Sequence, residues 1–260
     1  MLSVKNIQCS IGKKTILQDI NLHFLPGEFN MILGPNGSGK STLLKIISGE
    51  LNGYTGEVLY EGIKPGSVGK NELAKIRAVM SQQPELSFPL TVKEVVMMGR
   101  YPHFSFHPAK KDEAICDEVI ERMNIGSFGE RNYLTLSGGE KQRVQFARIL
   151  AQIWERPHTG YRYLLLDEPL ASLDINYQQE FLQIAREFSK KNTVLVAVIH
   201  DINLAIQFAD QLYLLKEGKL VASGPMREMI RVDLIKRVFG VNTVVIDNPV
   251  NNKPLVVFAD

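Results

Sequence analysis

Apolar and polar positions change their rhythm along this chain. Residues 3–7 and 19–24 alternate with the period of a half-buried strand, and turn signals stand at Gly12 and at Pro26-Gly27, so the first segment predicts a small antiparallel β layer. The run Phe29–Leu33 predicts a buried strand; a glycine-rich stretch follows, and residues 42–48 predict a helix stopped by Gly49. From about Leu90 to Trp154 the period becomes helical. Thr91 and Glu94 have capping-box spacing, and Ile115, Val119, Ile120 and Met123 fall on one face of a helix that begins near Pro108. Residues 163–166 and 193–199 are continuous rather than alternating, as strands buried on both faces of a parallel sheet should be. Residues 241–258 predict two short strands around an Asn- and Pro-containing loop. No internal repeat or low-complexity tract interrupts this order.

Composition narrows the picture without changing it. A chain of 260 residues, 45% apolar, buries a full core as one large domain or one domain with a substantial insertion. Its apolar runs are far shorter than the roughly 20 residues of a membrane helix. The N-terminal residues enter a strand-like alternation without a basic start and apolar run, which predicts a cytosolic location. Cys9 and Cys116 are far apart, with no paired-ligand spacing, and fit reduced thiols. The net charge of +2 is made of interspersed signs, so no basic arm argues for nucleic acid.

Gly34-Pro35-Asn36-Gly37-Ser38-Gly39-Lys40-Ser41, followed by Thr42, matches G-x-x-x-x-G-K-[ST]. Its glycines permit close backbone approach, its N–H groups wrap a phosphate, Lys40 reaches the β- and γ-phosphates, and the Ser41 hydroxyl suits Mg²⁺. The motif follows a predicted buried strand and opens a helix, the context it needs. Asp167 and Glu168 end the apolar strand Leu164-Leu165-Leu166, where open α/β sheets bring their ligands. Beside a phosphate loop, Asp167 suits Mg²⁺ and Glu168 suits an attacking water, although Asp-Glu-Pro by itself also fits a turn. His200 follows residues 193–199 in the same manner, and by itself also fits a helix cap or a surface residue. Ser137, Gly138, Gly139 and Glu140 open a second helical run at 141–154, and this box fits a plain cap as well as a second phosphate site.

Taken in order, these motifs resemble those of the ABC family of ATPases over essentially the whole chain: Walker A at residues 34–41, a signature at 136–142, Walker B ending at Asp167-Glu168, a D-loop at Ser172-Leu173-Asp174 and a switch histidine at His200. The resemblance implies a P-loop NTPase (RecA-like) α/β core with an antiparallel β layer and an α-helical subdomain inserted at about 84–156. It implies ATP and Mg²⁺ as cofactors, the ion held by Ser41, Gln82 and Asp167, with Glu168 as general base and His200 and Gln82 sensing the γ-phosphate. Taken alone, Gln82 reads as an ordinary polar loop residue. Two copies would pack head to tail, so that Ser137, Gly138, Gly139 and Glu140 act in trans on the partner's ATP. A membrane permease dimer would complete the assembly on the cytoplasmic face of the inner membrane, with a periplasmic substrate-binding protein as an indirect partner.

One position departs from the family pattern: Ile11 stands before Gly12 where an aromatic residue usually stacks on adenine, which weakens purine selectivity. The segments 98–103 and 150–154, with an extended stretch to 161, resemble subunits of iron-complex importers, the second especially those for haem; ferric-siderophore and cobalamin importers are the alternatives. A non-transport ABC ATPase would carry two cassettes or a long coiled-coil insertion, and neither is present. A P-loop kinase or GTPase would leave residues 137–142 unexplained. His103, His107 and Cys116 match no ligand spacing and read as loop and helix surface residues. The face from Gln82 to Tyr101, with Phe88, Met97 and Met98 exposed, is the expected docking surface for a permease helix.

Overall fold

The computed structural model describes residues 1–81, 86–157 and 160–259, so Gln82 lies outside the described residues. β1 (Leu2–Ile11) and β2 (Lys14–Phe24) form an antiparallel hairpin whose turn places Gly12 at φ 60°. β3 (Phe29–Leu33) runs into the glycine-rich loop, α1 (Lys40–Ser48) follows, and β4 (Tyr54–Tyr60) returns to the free edge of β1. The resulting sheet, ordered β2-β1-β4, is the antiparallel layer expected from the alternation. α2 (Lys70–Ile76) leads into β5 (Arg77–Met80).

Between β5 and the next strand lie α3 (Val92–Met98), α4 (Lys110–Arg122) and α5 (Gly138–Gln152). Thr91 and Glu94 form the capping box their spacing predicts: Thr91 N–H donates to Glu94 Oε2 at 2.7 Å and Glu94 N–H donates to Thr91 Oγ1 at 3.2 Å. Ile115, Val119 and Ile120 are buried on one face of α4. Met97 and Met98, expected at the surface, are half-buried; Met97 packs against the core with its sulfur 3.9 Å from Cys116 Sγ. α3 is wedged against both α4 and α5, so it buries more of its circumference than one apolar face. Cys116 is buried too, and its thiol is pushed up to about 12 by that burial. Phe88 is exposed.

The chain then alternates through β6 (Arg162–Asp167), α6 (Ile175–Ser189), β7 (Thr193–Val198), α7 (Ile202–Phe208) and β8 (Gln211–Lys216), and closes with β9 (Lys219–Pro225), α8 (Met226–Met229), α9 (Val232–Phe239) and the hairpin of β10 (Thr243–Asp247) and β11 (Pro254–Phe258). The central sheet has the order β5-β6-β7-β3-β8-β9, parallel except for β9. Alternate residues of its strands join different cores: Leu164, Leu166 and Met31 face the helices, whereas Tyr163, Leu165 and Ile32 face α1 and the antiparallel layer. Burial on both faces is why these strands are continuously apolar. Among the described residues no helix is long and apolar enough to cross a membrane.

Candidate functional site

The order of the parallel strands brings the C-terminal ends of β3, β6 and β7 side by side, the edge at which open α/β sheets bind ligands. At the end of β3 the chain passes so close to β8 that a Cβ on Gly34 would stand 2.1 Å from the carbonyl oxygen of Leu215. Gly39 has φ 99°, and a side chain there would meet Leu17 Cδ2 at 2.7 Å and the Ile16 carbonyl oxygen at 3.0 Å. Only glycine fits either place. The loop is braced on its outer side, where Gly218 N–H donates to the Ser38 carbonyl at 3.1 Å. Gly39, in the N-cap position of α1, makes no side-chain cap, so the first-turn N–H groups are left to an anion such as a phosphate. The Ser38 hydroxyl is buried with no hydrogen-bond partner among the described residues, as a polar group awaiting a ligand would be.

Lys40 is buried, and its Nζ donates to the carbonyls of Gly34 at 2.9 Å and Pro35 at 3.0 Å. Burial holds its pKa below the usual lysine value, against the opposing pull of Glu168 and Asp167. Asp167, two residues after Leu165 and on the same face of β6, points toward α1, where Ser41 Oγ donates to its Oδ1 at 3.0 Å. Burial raises the pKa of Asp167; the Ser41 hydroxyl counters this and the neighbouring Glu168 adds to it. A hydroxyl and a carboxylate this close form a hard oxygen donor set of the kind that suits Mg²⁺.

Glu168 leaves the strand at φ 49°, a left-handed conformation that costs a non-glycine residue on the order of 1 kcal/mol or more. The turn breaks the alternation and sends its carboxylate along the sheet edge rather than down beside Asp167. Its N–H donates to the Val198 carbonyl at 3.2 Å, and its Oε1 lies 2.5 Å from Nε2 of His200, just past the end of β7. The cleft between the glycine loop and β2 is lined by residues 36–42, Glu168, Lys14 and Ile16.

Residues 137–140 are not part of this cleft. Ser137 caps α5 in a closed box, with its N–H donating to Glu140 Oε2 at 2.7 Å and Glu140 N–H donating to Ser137 Oγ at 3.3 Å. The backbone N–H of Ser137 holds the Glu140 carboxyl below its usual pKa. Gly138 and Gly139 lie against Ser172, and Gln142 Nε2 donates to the Pro169 carbonyl at 2.7 Å, so this helix start packs on the segment after Asp167-Glu168. Asp174 caps α6, accepting from Tyr177 N–H at 3.0 Å.

Two features, one in the cleft and one outside it, escape motif reading. Lys14 and Ile16 line the cleft because β2 begins earlier than the alternation at 19–24 suggests; the β-branched pair Thr15-Ile16 was the available signal. A buried ion cluster joins the segments 98–103 and 150–155: Arg100 donates to Asp112 Oδ1 at 2.9 Å, to the Ala151 carbonyl at 2.8 Å and to Glu155 Oε2 at 2.5 Å. His103 Nε2 lies 2.8 Å from the Gln152 carbonyl, which makes it a structural residue; burial, the largest influence, lowers its pKa. His107 is exposed.

Residues 17–171 match the family model described as ABC transporter. Among curated proteins, the Hemin import ATP-binding protein HmuV of Gloeobacter violaceus is 44% identical over 257 residues, covering 99% of this chain and 94% of the relative. The protein of the same name from Agrobacterium fabrum is 40% identical, covering 98% of this chain and 97% of its own. Among solved structures, the dimeric bacterial ABC transporter cassette MJ0796 is 30% identical with a TM-score of 0.74, covering 87% of this chain and 99% of that one. The ADP conformation of MJ1267, a cassette 23% identical, has a TM-score of 0.78 over 92% of this chain and 97% of that one, which speaks to the fold alone. With its fold, its glycine loop and its full-length relatives in agreement, this chain belongs to the ABC transporter family, as one of the ATP-hydrolysing cassettes.

Proposed function

We propose that this cassette energises an importer for haem. The observation that carries the reading is that relatives 40–44% identical over almost the whole chain bear the name hemin import ATP-binding protein. The segments 98–103 and 150–154, whose sequences resemble iron-complex importer subunits, the second with its following stretch especially those for haem, are tied together by Arg100 and His103 into one local structure.

At the site, the N–H groups of residues 36–42 cradle the triphosphate on the loop begun by Gly34 and Pro35, and Lys40 turns from its loop carbonyls to the β- and γ-phosphates. Ser41 and Asp167, with Gln82, would hold Mg²⁺, which when bound neutralises charge on those phosphates. Glu168 takes a proton from the attacking water, and the short contact with His200 fixes the direction of its carboxylate. The same histidine and Gln82 sense the γ-phosphate. Ser137, Gly138, Gly139 and Glu140 serve the ATP of a second copy packed head to tail, with Asp174 at the junction; that none of these four lines this chain's own cleft supports action in trans. The dimer works on a permease at the cytoplasmic face of the inner membrane, and a periplasmic binding protein delivers the cargo.

The test is growth of a strain lacking this chain on haem as the sole iron source, compared with a ferric siderophore and inorganic iron. Selective failure on haem, restored by the wild-type chain but not by Glu168→Gln, is the expected result. Normal growth on haem with failure on a siderophore would overturn the cargo and leave the ATPase standing.

A further inference from the structure

His200 stands on a short span. β7 ends at Val198 and α7 begins at Ile202, so residues 199–201 alone carry the chain from one to the other. At the near end, Ile199 N–H donates to the Ile32 carbonyl at 3.2 Å, which fixes the span to the central sheet. At the far end, Asp201 caps α7 by accepting from the N–H groups of Asn203 at 2.7 Å and Leu204 at 3.0 Å. A helix of seven residues has little stability of its own, and this one is held from outside by the C-terminal hairpin. Val256 of β11 is paired with Val245, and its N–H and C=O point away from β10, as those of alternate residues in an antiparallel pair do. Val256 is buried, so both groups need partners. Asn203 supplies both: its Oδ1 accepts from Val256 N–H at 3.0 Å, and its Nδ2 donates to the Val256 carbonyl at 3.1 Å. A carboxamide carries a donor and an acceptor side by side, which a carboxylate does not. Lys253 of the same hairpin donates to the Gln207 carbonyl farther along α7, and Phe258 lines a cavity of about 400 Å³ together with His200 and Asn203.

We propose that Asn203 is a positioning residue for hydrolysis: by binding both backbone groups of Val256 it ties the first turn of α7 to the C-terminal hairpin, and so sets where His200 meets Glu168. The proposal rests on the reading of Glu168 as the base that His200 directs. The Nε2 of His200 lies 2.5 Å from Glu168 Oε1, a contact that a displacement of about 1 Å would break. Once released from Val256, the first turn of α7 can shift, and the histidine shifts with it because Asp201 alone separates the two. Residues 36–42 line a different cleft, to which neither α7 nor the hairpin contributes, so rate and nucleotide affinity should separate. Motif spacing does not disclose this link, because Asn203 and Val256 are 53 residues apart.

The experiment is single-turnover hydrolysis and equilibrium binding of ATP with Mg²⁺ on the full-length chain, for the wild type, His200→Ala, Asn203→Asp, Asn203→Ala and each Asn203 variant combined with His200→Ala. Asn203→Asp keeps the shape but sets a carboxylate oxygen against the Val256 carbonyl. Asn203→Ala removes both bonds without adding charge, and it decides the matter if the aspartate variant does not fold. Either variant should slow hydrolysis on the order of tenfold, within the roughly 10²-fold that a misplaced catalytic group costs, while Kd for ATP changes by less than about twofold. In the His200→Ala chain the same substitutions should slow hydrolysis by less than about twofold, because the group they position is gone. Equal slowing in both backgrounds is the mark of a merely structural contact and overturns the proposal. Wild-type rates for the Asn203 variants, or loss of ATP binding by both of them, overturn it as well and leave the pairing of Glu168 with His200 standing. A His200→Ala chain as fast as the wild type overturns the reading of His200, and the proposal with it.

Discussion

The backbone N–H of Glu168 is held on the Val198 carbonyl, and its carboxylate meets His200. Glu168→Gln keeps the shape and the backbone anchor but removes the group that can take a proton. General-base loss costs about 10²–10⁴ in rate, roughly 2.7–5.5 kcal/mol in the barrier. Affinity for ATP should change by less than about threefold, because the phosphates are held on residues 34–42. His200→Ala leaves the base in place without its histidine contact, and a catalytic group out of position costs on the order of 10²-fold. If the histidine acts through the glutamate, the two effects are serial, and the double variant should be no slower than Glu168→Gln alone. If it acts separately on the γ-phosphate, the losses multiply to about 10⁴–10⁶. Single-turnover hydrolysis of labelled ATP with Mg²⁺ present removes product release from the comparison. A Glu168→Gln chain that hydrolyses ATP at the wild-type rate refutes the base assignment, and a multiplicative double variant refutes the orienting role of His200.

Asp112→Ala removes the acceptor for both buried Arg100 and the Ala109 N–H, and breaking such a pair costs about 3 kcal/mol, at the low end because Glu155 and the Ala151 carbonyl still hold the guanidinium. A thermal scan should show Tm lower by about 6–12 °C, and a fall below about 2 °C contradicts the cluster's role. Gly34→Ala must push the loop off the Leu215 carbonyl, so ATP should bind at least about tenfold more weakly; wild-type affinity in a titration contradicts the close approach. Asp167 carries a raised pKa in the folded chain, so the folded state holds its proton more tightly than the unfolded one, and this acid's contribution to stability increases as pH falls through the folded pKa toward the unfolded value. Asp167→Asn should therefore raise Tm at neutral pH, lose that increment as the pH is lowered, and abolish Mg²⁺-dependent hydrolysis; an unchanged or lower Tm at neutral pH refutes the burial argument.

What could be read from the sequence follows from where each constraint acts. The glycine loop, the acids after Leu166 and the capping boxes at Thr91 and Ser137 are local, with their chemistry inside a few consecutive residues, and each is built as its spacing suggests. The continuous apolar runs disclosed strands buried on both faces, but nothing along the chain said that β3 would lie between β7 and β8. Met97 is less exposed than its sequence suggests because its cover comes from Cys116 on the next helix, and the partners of Arg100 stand as far away as Glu155.

The central contacts of the site belong to both kinds. Ser41 and Asp167 are 126 residues apart, yet they meet because strand alternation puts Asp167 on the face of Leu165, and that face packs on α1. The register of β6 on β7, Asp167 opposite Val198, then brings the next residue to His200. A slip of one residue would exchange the faces of Leu165 and Leu166 and turn Asp167 away from Ser41. The apolar pattern of β6 is therefore more than core filling: the same alternation that keeps Leu165 against α1 aims the carboxylate, and the left-handed turn at Glu168 releases the following residue from that alternation toward the water it is proposed to activate.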